Sequence, residues 1–289
     1  MSKPGLHAAL RSSSLEQIIS PATIFKGPSH VAVNPDGLHV HSTDGARVAW
    51  VNITLSADAF TEYHADSFRT GINLHQISRL LWRITHNPQI EISTVHEGTL
   101  NRVKICYNEV TYTLDSTDPD TIHRTISQPN DARTAQAVLP GDLLEVPLKA
   151  SDLCAKRIAI GIESSQNVLY LTAEGDKEST RYANTDDVQI QSTNIGIVES
   201  IFELDYLLAF EKTIPADSPV TIELSDERSI RIHHPILDGH GEVEFTMRHS
   251  ISPLPLDTPD TVAELLESHP VDTQQANATP STGVISPEV

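Results

Sequence analysis

Along most of the chain apolar residues recur at every second position, the period of half-buried strands. His30–Asn34, Leu38–Ser42 and Arg47–Leu55 read this way, the last through Val51, Ile53 and Leu55, and so do 89–95, 102–107 and 110–114. Two stretches in this half break the alternation with helical spacing. Leu15–Ile19 follows a Ser12-Ser13-Ser14 cluster whose hydroxyls suit an N-cap, with Glu16 and Gln17 in the first turn. Gly71–Leu81 reads as a second short amphipathic helix. Strands interrupted by lone short helices predict an α+β class, with both helices on one face of the sheet.

The pattern then repeats. Pro88-Gln-Ile-Glu-Ile92 and Pro219-Val-Thr-Ile-Glu-Leu224 are both a turn followed by an alternating strand. Leu74 and Leu204 both lie in short amphipathic helices, and Val40 and Leu171 both end strands at acidic turns. All three pairs are 130 or 131 positions apart, which predicts a tandem duplication of one domain. The expected domains span 6–114 and 140–252. Residues 115–139, rich in Asp, Thr, Ser, Pro and Asn, read as a long connector between them. Residues 253–289 hold six acids, six prolines and no Lys or Arg, the composition of an unpacked tail. Within the tail, Thr258–His269 has a capping residue, a first-turn proline and apolar Val262, Leu265 and Leu266. It reads either as a transient helix or as a short docking peptide.

Charge narrows the function. Against 39 acidic residues stand 20 cations, a net charge of −19, so bulk attraction to a polyanion is excluded and any nucleic-acid contact needs a local basic strip. Only seven of the cations are lysine, which fits either a salt-rich cytoplasm or an ordinary acidic cytosolic protein. Two cysteines, Cys106 and Cys154, rule out a disulfide scaffold, fit a reducing compartment and read as buried apolar residues. No apolar run reaches the ~18 residues of a membrane span. The expectation is a cytoplasmic, nucleoid-associated protein without membrane contact.

The 14 histidines include a strand pair, His39 and His41, and a group at His233, His234 and His240. They lack H-E-x-x-H or Cys-x-x-Cys spacing and read as surface or strand residues, so no metal or other cofactor is expected. No nucleophile elbow or phosphate-cradling glycine loop is present, and no enzymatic activity or catalytic residue is expected.

The sequence resembles the DNA sliding clamps of the proliferating cell nuclear antigen (PCNA) family, particularly archaeal ones of haloarchaeal or haloarchaeal virus or plasmid type. The resemblance rests on Ala216-Asp217-Ser-Pro-Val-Thr-Ile-Glu-Leu224 followed by Asp238-Gly-His-Gly-Glu-Val-Glu-Phe245. Supporting runs are Val51-Asn-Ile-Thr-Leu55, Gly71-Ile-Asn-Leu74, Asp118-Pro-Asp-Thr-Ile122, Leu139-Pro-Gly-Asp142 and Ala173-Glu-Gly-Asp176. It covers Leu6 to about Ile251.

The resemblance implies two clamp-fold domains and a homotrimeric ring closed head to tail. The implied junction strands carry Glu109, Tyr112 and Leu114 on one subunit, and Ser179, Arg181 and Ala183 on the next. A monomer with covered edges is the alternative. The implied function is a polymerase processivity factor that encircles duplex DNA without reading its sequence. It would tether a DNA polymerase, the clamp loader and other clients through PCNA-interacting peptides, some of them non-standard. Sliding demands phosphate contacts only. Arg79, Lys149 and Lys212 match basic positions of the family, and Arg83 joins Arg79 by lying four residues further along the same helix. Each could equally be solvated surface charge. Glu16, Gln17, Thr23 and Asp205 stand where relatives often carry cations, so the bore is expected to be weakly basic. Pro21 and Pro147 would kink or end the first helix of each domain.

The implied client pocket contains Thr43, Val48, Trp50, Ile122, Ser229, Thr246 and Arg248. Ser229 replaces a family proline, Arg248-His249 replaces Ala-Pro, and Ser127–Arg133 lacks apolar floor residues, which predicts weakened or altered client binding. The alternative function is a clamp-fold paralogue that regulates a host clamp or its clients by protein binding without sliding.

Overall fold

A computed structural model describes residues 5–97, 100–122, 133–193, 196–225 and 227–250. The tail segment Thr258–His269 and the middle of the expected connector lie outside the described residues. The first eleven elements are β1 (Leu6–Arg11), α1 (Ser12–Ala22), β2 (Ser29–Asn34), β3 (Gly37–Thr43), β4 (Ala49–Ser56), β5 (Glu62–Ala65), β6 (Phe68–Ile72), α2 (Leu74–Leu81), β7 (Gln89–Glu97), β8 (Leu100–Tyr107) and β9 (Val110–Asp115). The same order then recurs as β10 (Ala135–Pro140), α3 (Glu145–Ser151), β11 (Arg157–Glu163), β12 (Val168–Glu174), β13 (Ser179–Asn184), β14 (Gln189–Ser192), β15 (Ile197–Glu203), α4 (Leu204–Glu211), β16 (Pro219–Leu224), β17 (Ile230–Ile236) and β18 (Gly241–Met247). Leu74 and Leu204 each open a helix, and Val40 and Leu171 occupy equivalent strands β3 and β12.

The sheets show how the two runs join. The first run contributes a five-stranded sheet, β5-β1-β7-β8-β9, and the second a four-stranded sheet, β13-β12-β11-β15. Their counterparts fuse into nine strands, β14-β10-β16-β17-β18-β4-β3-β2-β6. The seam is the antiparallel pair β18–β4, in register from Gly241 opposite Leu55 to Met247 opposite Ala49. Alternation decides which face each residue takes, since successive side chains point to opposite sides. Ala49, Val51, Ile53 and Leu55 join Val243, Phe245 and Met247 in one buried core. Phe210 from α4 stacks on Phe245 with ring centroids 4.7 Å apart, which fixes that helix over the seam.

Local differences from the sequence expectations have physical causes. The serine cluster does not cap α1: Arg11 is the N-cap residue, with no side-chain cap bond of its own. Instead Asn87, held at a positive φ just before β7, accepts from the Ser13 backbone N–H at 2.9 Å and from the Ser12 hydroxyl at 3.0 Å. A loop 74 residues away thus satisfies a helix end that must find some acceptor. Gly71 belongs to β6, so α2 starts only at Leu74. Pro21 and Pro147 are accommodated, Pro21 beside the C-terminal end of α1 and Pro147 in the first turn of α3. β10 begins at Ala135, inside the expected connector, because Ala135, Ala137 and Leu139 alternate into the core. Cys106 and Cys154 are free and half-buried rather than fully buried.

Candidate nucleic-acid interface and partner face

The helices pack in pairs, α1 against α2 and α3 against α4, and leave one side of each exposed. On α2, Leu74 and Ile77 turn into the core while Gln76, Arg79, Trp82 and Arg83 are exposed. Arg79 and Arg83 share a groove with Leu80 and Tyr112, and neither cation has an ion-pair partner among the described residues. Lys149 differs. It is tied to Glu145 one helical turn earlier, and that hydrogen bond raises its pKa. Glu211 lies near both, and burial pushes its carboxyl up against the opposing pull of Lys149. Lys212 follows α4 and is exposed, with Asp205 at the other end of the same helix. The four sequence-identified cations are therefore unequal, and only the α2 pair is concentrated positive charge.

The opposite, strand-only face of the nine-stranded sheet carries polar side chains. Thr43, Trp50, Thr246 and Arg231 lie in one cross-strand row. Trp50 is fully buried there, and its indole N–H has no hydrogen-bond partner among the described residues. Thr246 is also buried, and Val48 is half-buried with its carbonyl accepting from the Arg248 N–H at 2.9 Å. Ser229 is buried, and its hydroxyl accepts from Arg133 at 3.0 Å. Ile122 does not join this row. It follows a turn that bridges Gly71 on β6, which lies two strands beyond β3 in the sheet, and a Cβ on Gly71 would strike its Cδ1.

Next to that row runs a charged network that sequence reading missed. Glu223 on β16 binds Arg231 and His233 on β17, and Arg231 also reaches Glu244 on β18 at 3.3 Å. His233 Nδ1 meets Glu242 at 2.8 Å, and the Asn52 amide donates to Glu244 at 3.0 Å across the seam. Burial pushes Glu223 up, but the His233 ring 3.8 Å away and the hydrogen bond from Arg231 outweigh it and hold its pKa low. His39 and His41 bond Thr54 and Asn52 on the same face. No group of three metal-ligating side chains occurs among the described residues. The cross-strand pairing was the missing signal, because Glu223, Arg231 and Glu244 are far from adjacent in sequence.

The implied junction residues sit on two sheet-edge strands, β9 and β13. Glu109 is exposed at the turn before β9, Tyr112 is half-buried and Leu114 is buried in the core. On β13 Ser179 is exposed, Ala183 is half-buried, and Arg181 lies 3.9 Å from the buried Glu174.

Two repeats of one α+β unit, fused through a shared sheet, define a DNA-clamp architecture. Residues 26–109 match the family described as proliferating cell nuclear antigen, N-terminal domain. The chain is 27% identical to the DNA polymerase sliding clamp of Haloarcula marismortui, over 83% of this chain and 96% of that protein. It is 29% identical to that of Methanosarcina mazei over the same shares. Its fold is similar to A. fulgidus PCNA bound to the C-terminal region of FEN-1, with TM-score 0.77, 20% identity and coverage of 86% and 99% of the two chains. PCNA from Entamoeba histolytica gives TM-score 0.75 at 18% identity, covering 86% and 100%. Residues 26–109 thus match the PCNA N-terminal domain, and most of the chain is similar to DNA polymerase sliding clamps. No helix among the described residues is long and apolar enough to cross a membrane.

Proposed function

We propose that this chain is a DNA polymerase sliding clamp that closes as a homotrimeric ring around duplex DNA and tethers a polymerase and other clients. The observation that carries this reading is the relation between its seam and its edges. β18 and β4 pair within the chain; their counterparts, β9 and β13, each stand at one end of the other two sheets. A surface that already pairs with its partner inside the chain can do so between chains, and head-to-tail contacts that close by rotation form a ring.

Side chains follow the same relation. At the seam, Gln17 of α1 accepts from the Leu237 N–H in the turn before β18. The matching residue of α3 is Val146, and the matching turn, at Asn108, precedes β9. Leu237 and Asn108 both have positive φ, and Val146 and Val110 are both exposed apolar residues. Phe25, just past α1, meets Tyr206 of α4 edge-on with centroids 6.0 Å apart. Its counterpart Cys154, beside the 81% exposed Leu153, would meet Gln76, which stands on α2 where Tyr206 stands on α4. Such contacts bury apolar surface that a monomer leaves in water.

In this ring Arg79, Arg83, Lys149 and Lys212 face the DNA, and closure supplies the retention that weak phosphate contacts do not. The row of Thr43, Val48, Trp50 and Thr246 with Ser229 and Arg248 is the client face, and Ile122 lies at its margin. No reaction is assigned to the chain. Light scattering at high salt should give a trimer mass, and the protein should stay on closed circular DNA and leave when the circle is cut. A monomer, or equal loss from circular and linear DNA, would sink the proposal. Regulation without sliding would leave polymerase processivity unstimulated.

A further inference from the structure

Trp82 is 87% exposed, more than any other large apolar side chain among the described residues. Burying such a ring releases one of the largest apolar areas a side chain can offer, so leaving it in water invites a partner. Its place is informative. Trp82 caps the C-terminal end of α2, three residues after Arg79 and one before Arg83. Positions three apart are neighbours on a helix surface, so Trp82 lies on the side of α2 that carries Arg79, while Arg83 follows it directly in the chain. Both cations are exposed and lack ion-pair partners among the described residues. Its counterpart after α4 is Lys212. The second repeat thus has a plain cation where the first has an aromatic ring one helical turn after Arg79.

A duplex stacks its bases inward and offers an indole little but phosphate and sugar. An unpaired strand offers a π-face at every base, and an aromatic ring beside a positive strip is the pattern that binds it without regard to sequence. Charge complementarity from Arg79 and Arg83 argues against an apolar peptide or a lipid surface as the occupant. We infer that Trp82, supported by Arg79 and Arg83, forms a single-stranded DNA contact on the inner face of the ring. It stacks on an unpaired base where duplex gives way to single strand. This rests on the reading of the helices as the ring lining. Three copies would place one such site in each subunit, and a clamp passing a primer end would pause there.

The test uses the full chain. Trp50 is buried, so quenching of tryptophan emission by nucleic acid reports on Trp82. Titration with an oligothymidylate should quench the emission, and a duplex of equal length should quench it less. Trp82→Ala should weaken oligothymidylate binding about tenfold, within the range for loss of one stacked base, and change duplex affinity less than about twofold. Trp82→Phe should retain most of the single-strand affinity. Equal effects on both DNAs, or none on either, would overturn the inference. So would loss of the trimer mass in Trp82→Ala, which would make the residue a subunit contact. Failure of the ring reading is seen separately, as a monomeric wild type that does not persist on circular DNA.

Discussion

The seam between the repeats and the two open edges of the chain are one surface in two settings. Where the surface is closed, the contacts are those of a core: Phe245 stacks on Phe210, Val243 lies opposite Ile53, and Tyr206 donates to Asp44 at 3.1 Å. Where it is open, the corresponding elements present Val110, Val146 and Leu153 to solvent. The covalent link lets the seam be packed as an interior, because it never has to separate. In the proposed ring the open edges also exist unpaired, and they carry exposed polar groups such as Gln76 and Arg181. If the proposed ring opens to admit DNA, it needs this inequality.

Breaking the closed side should therefore cost the fold, and breaking the open side only the assembly. Phe245→Ala removes a fully buried ring at the seam and should lower stability by about 3–5 kcal/mol. Chemical denaturation at fixed salt measures it; a loss below about 1 kcal/mol would mean the seam is not packed as described. By contrast, Val146→Glu with Leu153→Glu alters only exposed positions. Unfolding of the subunit should move by no more than about 0.5 kcal/mol, while light scattering shows the trimer giving way to monomer. A trimer that survives both charges would place the junction elsewhere.

The seam also has a pH signature, because β17 sends neighbouring histidines to opposite faces. His233 lies in the polar network, and the carboxylates of Glu223, 3.8 Å from its Nε2, and Glu242, 2.8 Å from its Nδ1, raise its pKa. His234 is fully buried against Phe210, and burial lowers its pKa. The signs oppose. The His233 contribution is complete below the unfolded value of about 6.5 and is lost as pH rises through the folded value. His234 stays neutral in the folded chain while the unfolded chain takes up a proton, so stability falls as pH drops below about 6.5. Each proton of difference changes stability by about 1.4 kcal/mol per pH unit. His234→Phe should flatten the acid side of a stability profile and His233→Gln the alkaline side; an unchanged slope in both would show that neither couples to folding.

Much of this architecture was legible in the sequence, and the reasons mark the limit. Strands such as β2, β3 and β4 alternate clearly because one face packs on the core and the other meets water. The repeat showed itself because Leu74 and Leu204 must both begin a helix over a sheet. β1 was missed since its alanines, Ala8 and Ala9, are buried on both faces and give no period. The cap of α1 was misread because its acceptor comes from Asn87, and no local pattern announces a long-range cap. Candidate DNA-facing cations were visible by residue type alone. Their inequality was not, because charge pairing depends on which carboxylates the fold brings near: Glu145 was one helical turn away in plain view, whereas Glu211 arrives only by packing of α3 on α4.

That inequality gives the smallest and sharpest prediction. Lys149 is a cation held by Glu145, so a phosphate must displace a carboxylate before using it. Glu145→Gln frees the ammonium without adding charge to it or touching the core, since both side chains are about half exposed. If Lys149 faces DNA, the substitution should steepen the logarithmic salt dependence of duplex binding by up to about 0.9, the slope for one further phosphate. Arg79→Ala and Arg83→Ala should each make it shallower by a similar amount, because those cations need no release. Lys149→Ala in the wild-type background should change the slope least of all. Should it instead match the arginine variants, the ion pair would not restrain Lys149, and the two repeats would line the hole with equal charge.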